Sequence, residues 1–247
     1  MRSIFFNEEK IDLDSGYLFG RGVFETILVK SKPIFLKEHI ERLNKGIRVL
    51  NLGKEISTYD ILNLIEKHSI KNCVLKIIVS ERNLVLEVRE NKYKSGDYLK
   101  GFSLKLSNVY RNSKSKLTYI KSTNYLENII EREEVIKDGY DEVLFFNEKG
   151  FVAEGSISNI FLIKENKIYT PKVECGLLPG VVRNFIINEF NVIEKEIILD
   201  DLLNADEAFV TNSILGIMGI SKIEDKIFSE NKITMSIREK YELIIGN

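Results

Sequence analysis

The sequence predicts an α/β or α+β fold in two lobes. Three observations carry that expectation. Short β-like runs alternate with helical stripes along the chain, a polar stretch at 110–117 falls near the middle, and 247 residues suit one or two domains. We place a smaller N-terminal α/β domain at 1–112 and a larger C-terminal domain at 113–247. A cleft between such lobes is a default place for a small-molecule site.

The elements follow in order. Val23-Phe24-Glu25-Thr26-Ile27-Leu28-Val29 is rich in β-branched residues and ends near a turn at Ser31-Lys32-Pro33, so it reads as a strand. Residues 37–50 carry Ile40, Leu43, Ile47 and Leu50 at spacings of three or four, a helical stripe. Ser57 caps a second helix through about Lys67. Strand-like runs follow at 73–80, 84–88 and 102–109, and then the polar connection at 110–117. A helix is expected over 124–137, with Tyr125, Leu126, Ile129 and Ile130 on its apolar side and Gly139 at its end. Runs at 141–146, 158–163 and 167–170 read as strands joined by Asn147-Glu148-Lys149-Gly150 and Lys164-Glu165-Asn166. A helix at 181–190, strands at 192–198 and 208–211, and a helix at 232–245 complete the expectation.

Composition excludes several classes. Thirty-six basic residues against thirty-seven acidic ones leave a formal net charge of −1, without the basic excess of a dedicated nucleic-acid binder. With 44% apolar and 30% charged residues, the chain can bury a core and stay soluble. Two cysteines, Cys73 and Cys175, make no disulfide framework, and reduced thiols in the cytoplasm are the economical reading. No run approaches the roughly 18 apolar residues that span a bilayer. The start, MRSIFFNEEKIDLD, turns acidic after six residues and reads as no signal peptide. The two histidines, His39 and His68, sit in no metal-ligand spacing, and no GxSxG, GxxxxGK[ST] or GxGxxG occurs. The chemistry therefore points to a carboxylate, a lysine or a bound cofactor.

Four stretches carry candidate chemistry. In Tyr119-Ile120-Lys121-Ser122-Thr123-Asn124-Tyr125, a lysine ends a β-like run before a helix in a mostly uncharged segment. A shielded lysine loses solvation, which frees its amine as nucleophile or base; in a lysine-rich chain the other reading is a solvated surface amine. In the second stretch Glu154 lies among small and apolar residues beside Gly155, which lets a ligand approach the backbone. A cofactor ring nitrogen would partner such a carboxylate, while an edge-strand glutamate in solvent is the alternative. Third, Pro179-Gly180 opens a helix whose free amides at Gly180, Val181 and Val182 form an anion cradle. Cys175 just before it has no neighbouring base and reads as an inert thiol. Fourth, Thr211-Asn212-Ser213 ends a strand in polar side chains suited to an anion, or to ordinary turn chemistry.

Together with Phe19–Thr26 (FGRGVFET), His39–Leu43 (HIERL) and Lys222-Ile223-Glu224, the order of these stretches resembles the class IV aminotransferase family. Its members are the fold type IV pyridoxal-phosphate enzymes, built like D-amino-acid aminotransferase with the cofactor between two lobes. The resemblance implies that Lys121 binds pyridoxal 5'-phosphate covalently and that Tyr125 hydrogen-bonds its phenolic oxygen. Glu154 would pair with the pyridine nitrogen, and Arg42 with the phosphate. The amides of Val181 and Val182, with Ser213, complete the phosphate site; Val182 stands where a threonine is common, so one hydroxyl contact is lost. Within the family the likeness is to aminodeoxychorismate lyases, because Thr26 stands where branched-chain aminotransferases carry glycine. That implies conversion of 4-amino-4-deoxychorismate to 4-aminobenzoate and pyruvate, toward folate, with Lys121 and Thr26 as catalytic residues. A branched-chain or D-amino-acid aminotransferase is the alternative. Lys76, Arg82, Arg111 and Ile214 are the candidate substrate contacts, and no metal is called for. The loop Ser80-Glu81-Arg82-Asn83 lacks the glycines of many relatives. The resemblance also implies a homodimer; the cysteines point to the cytoplasm, and the charge balance and lack of an apolar span to no nucleic-acid or membrane partner.

Overall fold

The computed structural model describes residues 2–8 and 10–246. By packing, the chain forms two compact units. The first comprises the residues through Lys92 together with Ile120–Tyr125, and the second comprises Tyr93–Tyr119 and the rest from Leu126.

In the first unit the elements are β1 (Ser3–Phe6), α1 (Ser15–Phe19), β2 (Val23–Val29), α2 (Leu36–Leu50), α3 (Thr58–Lys67), β3 (Cys73–Val79) and β4 (Asn83–Arg89). The four strands form one sheet in the order β1-β4-β3-β2, with only the β1–β4 pair parallel. Residues of β2 alternate, so Val23, Glu25, Ile27 and Val29 are buried while Phe24, Thr26 and Leu28 are half-buried on the opposite face. Helix α2 covers the buried side with Leu36, His39, Ile40, Leu43 and Ile47, as its stripe predicts. Gly46 permits the close approach, since a Cβ there would lie 2.6 Å from Val23 Cγ1. Ser57 caps α3 as expected, accepting the Asp60 amide at 3.0 Å.

The second unit holds α4 (Ser95–Lys100), β5 (Phe102–Leu106), α5 (Leu126–Lys137), β6 (Glu142–Phe146), β7 (Val152–Gly155), β8 (Asn159–Lys164) and β9 (Lys167–Pro171). It continues with α6 (Val181–Glu189), β10 (Val192–Lys195), α7 (Leu199–Leu203), β11 (Glu207–Asn212), β12 (Gly216–Ile223), β13 (Lys226–Ile227) and α8 (Lys232–Gly246). Its sheet runs β10-β9-β8-β11-β12-β5-β6-β7, with β13 paired to β12. Edge strand β7 packs back against β8 and β9, so the sheet curls around its own core. No helix among the described residues is long and apolar enough to cross a membrane.

Three expectations are altered. Residues 93–112 pack with the second unit, because β5 is hydrogen-bonded to β12 on one side and β6 on the other. The 110–117 stretch is therefore no loose connection: the Arg111 amide donates to Phe146 O at 2.8 Å and the Ser113 amide to Glu148 Oε2 at 3.0 Å. Helix α5 starts at Leu126, after Tyr125, and its expected apolar side is exposed, with Leu126 at 67% and Ile129 at 47%. Val135 is what anchors it, against Val143 and Phe145.

Candidate active site

In the first unit the segment 120–125 runs alongside β2. The Phe24 amide donates to Lys121 O at 2.9 Å, Val23 bridges to Ser122, and the Thr123 amide donates to Gly22 O at 2.9 Å. Gly20 anchors the other end. Its carbonyl accepts from Thr123 Oγ1 at 2.7 Å and Asn124 Nδ2 at 2.8 Å, and it adopts φ 65°. A Cβ there would stand 2.7 Å from Asn124 Oδ1, so the FGRG glycine serves backbone packing and not phosphate. The lacing sets the half-buried Lys121 over two rings: Nζ lies 4.5 Å from the Phe24 centroid and 5.1 Å from that of Tyr125. The rings themselves meet edge to face at 5.3 Å. Thr26 shares the Phe24 face of β2 and is the register partner of Lys76, whose Nζ lies 5.4 Å from the Phe24 centroid.

Beneath this face lies a charged cluster that the sequence reading missed. Glu25 is fully buried, and its carboxylate accepts from Arg42 Nε at 2.6 Å and Nη2 at 2.7 Å. The same carboxylate meets His39 Nδ1 at 2.6 Å. Burial pushes the Glu25 carboxyl up, but Arg42 and His39 together hold it far below the usual carboxylate range. Burial lowers the basicity of His39, only partly offset by Glu25. Its Nε2 is buried with no hydrogen-bond partner. A signal for this cluster existed in the alternation of β2, which puts Glu25 in the core register with Val23 and Ile27. A core carboxylate needs a cation, and His39 and Arg42 stand one helical turn apart.

Arg82 is exposed, in the β3–β4 turn. That turn needs no glycines because Asp14 organises it, accepting from Ser80 Oγ at 2.6 Å, the Arg82 amide at 2.9 Å and Asn83 Nδ2 at 2.9 Å. Burial works against the Asp14 carboxylate, yet the Ser80 hydroxyl and the amides of Arg82, Gly16 and Tyr17 hold its pKa below the ordinary value.

In the second unit, Glu154 on β7 is 9% exposed. Its Oε2 accepts the Leu178 amide at 2.9 Å, and Oε1 lies 3.5 Å from Arg111 Nε. Arg111, expected among the substrate contacts, is instead buried in this unit and turned toward Glu154 and Glu127. The space above Gly155 is also taken. A Cβ there would meet Ser158 Oγ at 2.4 Å, because Ser156 and Ser158 both hydrogen-bond the buried carboxylate of Glu142. Gly155 thus admits the turn around Glu142 and not a ligand.

Gly180 is the cap residue before helix α6, and Asn159 crowds it: a Cβ would lie 2.1 Å from Asn159 Oδ1, and Asn159 Nδ2 donates to Leu178 O at 2.9 Å. The first amide bonded within the helix is that of Asn184, to Gly180 O at 2.9 Å, and no side chain caps the start. The amides of Val181 and Val182 are therefore helix-start donors, as expected of an anion cradle. Cys175 is buried, which pushes its thiol up, in keeping with an inert group. Helix α6 packs on β11, whose end leads into the 213–215 turn. There Asn212 Oδ1 accepts the Ile214 and Leu215 amides at 2.9 Å each, so Asn212 performs turn chemistry. Ser213 is half-buried and Ile214 buried in that turn, and Thr211 Oγ1 is buried without a hydrogen-bond partner.

Taken unit by unit, the chemistry suits a phosphorylated pyridine aldehyde: the first unit offers a ring-flanked amine, and the second a buried carboxylate and helix-start amides. The comparisons agree. The family model for amino-transferase class IV matches residues 22–223. The aminodeoxychorismate lyase of Bacillus subtilis (strain 168) is 34% identical over 236 residues, covering 86% of this chain and 80% of its own. A crystal structure from Legionella pneumophila, of a protein assigned as 4-amino-4-deoxychorismate lyase, superposes with a TM-score of 0.88 at 28% identity. It covers 97% of this chain and 98% of that one. A branched-chain amino acid aminotransferase from T.th., crystallised with pyridoxamine 5'-phosphate, shares the fold with a TM-score of 0.84 at 22% identity, over 97% and 91% of the two chains. By its fold and by the span of the family match, the chain belongs to the class IV aminotransferase family.

Proposed function

We propose that this chain is a pyridoxal-phosphate-dependent aminodeoxychorismate lyase, releasing 4-aminobenzoate and pyruvate in folate synthesis. The carrying observation is the face shared by Thr26 and Phe24, with the Lys121 amine 4.5 Å from the Phe24 ring. Adjacent same-face residues of a strand lie about 7 Å apart, so a hydroxyl accompanies the amine at substrate scale.

The cofactor, when bound, supplies the electron sink that makes the amine-bearing carbon acidic. In this reading Lys121 Nζ anchors it and then takes the proton from that carbon. The Thr26 hydroxyl would assist transfer of that proton to the enolpyruvyl oxygen, taking one up as it gives one away, as the bond to the neighbouring ring carbon breaks. Tyr125 would orient the phenolic oxygen, Glu154 would pair with the ring nitrogen, and Arg42, the Val181 and Val182 amides and Ser213 would hold the phosphate. Lys76 is offered for a substrate carboxylate, since it pairs in register with Thr26. The family resemblance supports a homodimer in the cytoplasm, and sedimentation that shows a concentration-independent monomer would refute the dimer.

The test is a product assay with aminodeoxychorismate made in situ. Wild type should yield 4-aminobenzoate and pyruvate, and borohydride should fix the cofactor to wild type but not to Lys121→Ala. Transamination that depends on 2-oxoglutarate, with no aminobenzoate, would overturn the lyase reading in favour of an aminotransferase.

A further inference from the structure

We propose that Arg111 is the positioning residue for Glu154, holding its carboxylate charged and aimed. The proposal rests on the reading of Glu154 as the partner of the cofactor's ring nitrogen. Arg111 is set by backbone, through its amide to Phe146 O and a bridge to Asn147. Its guanidinium lies over Phe145, with Cζ 3.7 Å from the ring centroid. Two anions face it: Glu127 Oε2 from α5 at 3.2 Å, and Glu154 Oε1 from β7 at 3.5 Å. They differ in exposure. The Glu127 side chain is 57% exposed and its pairing is screened, whereas that of Glu154 is 12% exposed.

The buried Arg183 also has an unpartnered Nε, but its Nη2 reaches the backbone at Pro171 O, 2.9 Å away, as well as Glu194. The Arg111 guanidinium instead bonds a second carboxylate, Glu127, through Nη1. Its Nε and Nη2 are buried without a hydrogen-bond partner, and Nε is the atom nearest Glu154. The guanidinium thus acts on Glu154 through charge, while the Leu178 amide fixes the other oxygen. Burial favours a neutral carboxylic acid, and an adjacent guanidinium reverses that by about 1–3 pH units. A carboxylate kept charged would stabilise a protonated ring nitrogen, whereas a neutral acid has no charge with which to hold that proton in place.

The test is carbon-13 NMR of the full-length apoprotein labelled at glutamate carboxyls, with Glu154→Gln used to assign the signal. Wild-type Glu154 should stay ionised from pH 8 down to pH 5. In Arg111→Gln its midpoint should rise by at least one pH unit, a tenfold gain in proton affinity, and Arg111→Lys should restore most of the wild-type curve. A wild-type midpoint above pH 6 overturns the proposal even where Arg111→Gln fails to fold, and so do superimposable wild-type and Arg111→Gln curves. Separately, wild type that develops no chromophore with pyridoxal phosphate overturns the cofactor reading, while the titration still decides the Arg111–Glu154 linkage.

Discussion

Replacing Glu25 by Gln tests the buried cluster beneath the lysine-bearing face. The substitution keeps the shape and at least two hydrogen bonds but removes the charge that neutralises Arg42. Three contacts of 2.6, 2.6 and 2.7 Å converge on that one carboxylate. Breaking a buried pair by removing one partner costs about 3–5 kcal/mol, and the hydrogen bonds that Gln retains place this variant near the lower figure. A loss of about 3 kcal/mol lowers the thermal midpoint by about 6–12 °C in a chain of this size. The assay is urea unfolding followed by circular dichroism at pH 7.5, beside a pyridoxal phosphate titration, which should weaken as Arg42 loses its orientation. The pH dependence has a definite sign. The folded-state pKa of Glu25 is depressed, so its contribution is complete above the unfolded value near 4.5 and is lost as pH falls below it. His39, also depressed, acts the same way below its unfolded value near 6.5. Wild type should therefore lose stability steadily from pH 7 to pH 3, and Glu25→Gln should lack the part below about pH 4.5. A variant within about 1 kcal/mol of wild type, with an unchanged acid limb, would refute the reasoning; most of the roughly 3–5 kcal/mol expected for the pair would then be missing.

Gly20→Ala forces a side chain into the left-handed region, at a cost of about 1–2 kcal/mol, and crowds Asn124; chemical denaturation should show at least that loss, with weaker capture of cofactor by Lys121. Thr26→Val keeps the strand but removes the hydroxyl, so kcat for aminobenzoate release should fall about 100-fold or more with KM nearly unchanged, and full activity would exclude Thr26 from proton transfer.

Much of the fold is written locally. Helix α2 follows from Ile40, Leu43 and Ile47, and α3 from Ser57, because a stripe or a cap is decided by neighbours within one turn. Strand β12 escaped the reading because Gly216 and Gly219 interrupt its pattern; Gly216 adopts φ 65°, where a Cβ would meet Tyr241 at 2.7 Å. The two-unit division escaped it because β5 owes its place to partners far along the chain, β6 and β12. At the site, Lys121 and Glu154 stood out as charges among apolar residues. Arg111 misled for the opposite reason: its sequence neighbours are polar, and its burial comes from Phe145 and Glu154, 34 and 43 positions away.

The return of residues 120–125 to the first unit bears on how the protein is born. Strand β4 ends at Arg89, so all four strands of the first sheet are synthesised before Lys121 is joined to the chain. The lysine segment then docks late, onto an edge of β2 already stiffened by Glu25, His39 and Arg42. A chain ending before residue 120 would hold every strand of the first sheet but lack the lysine to which we assign the cofactor. Acquisition of that chemistry is thereby tied to synthesis past the middle of the chain.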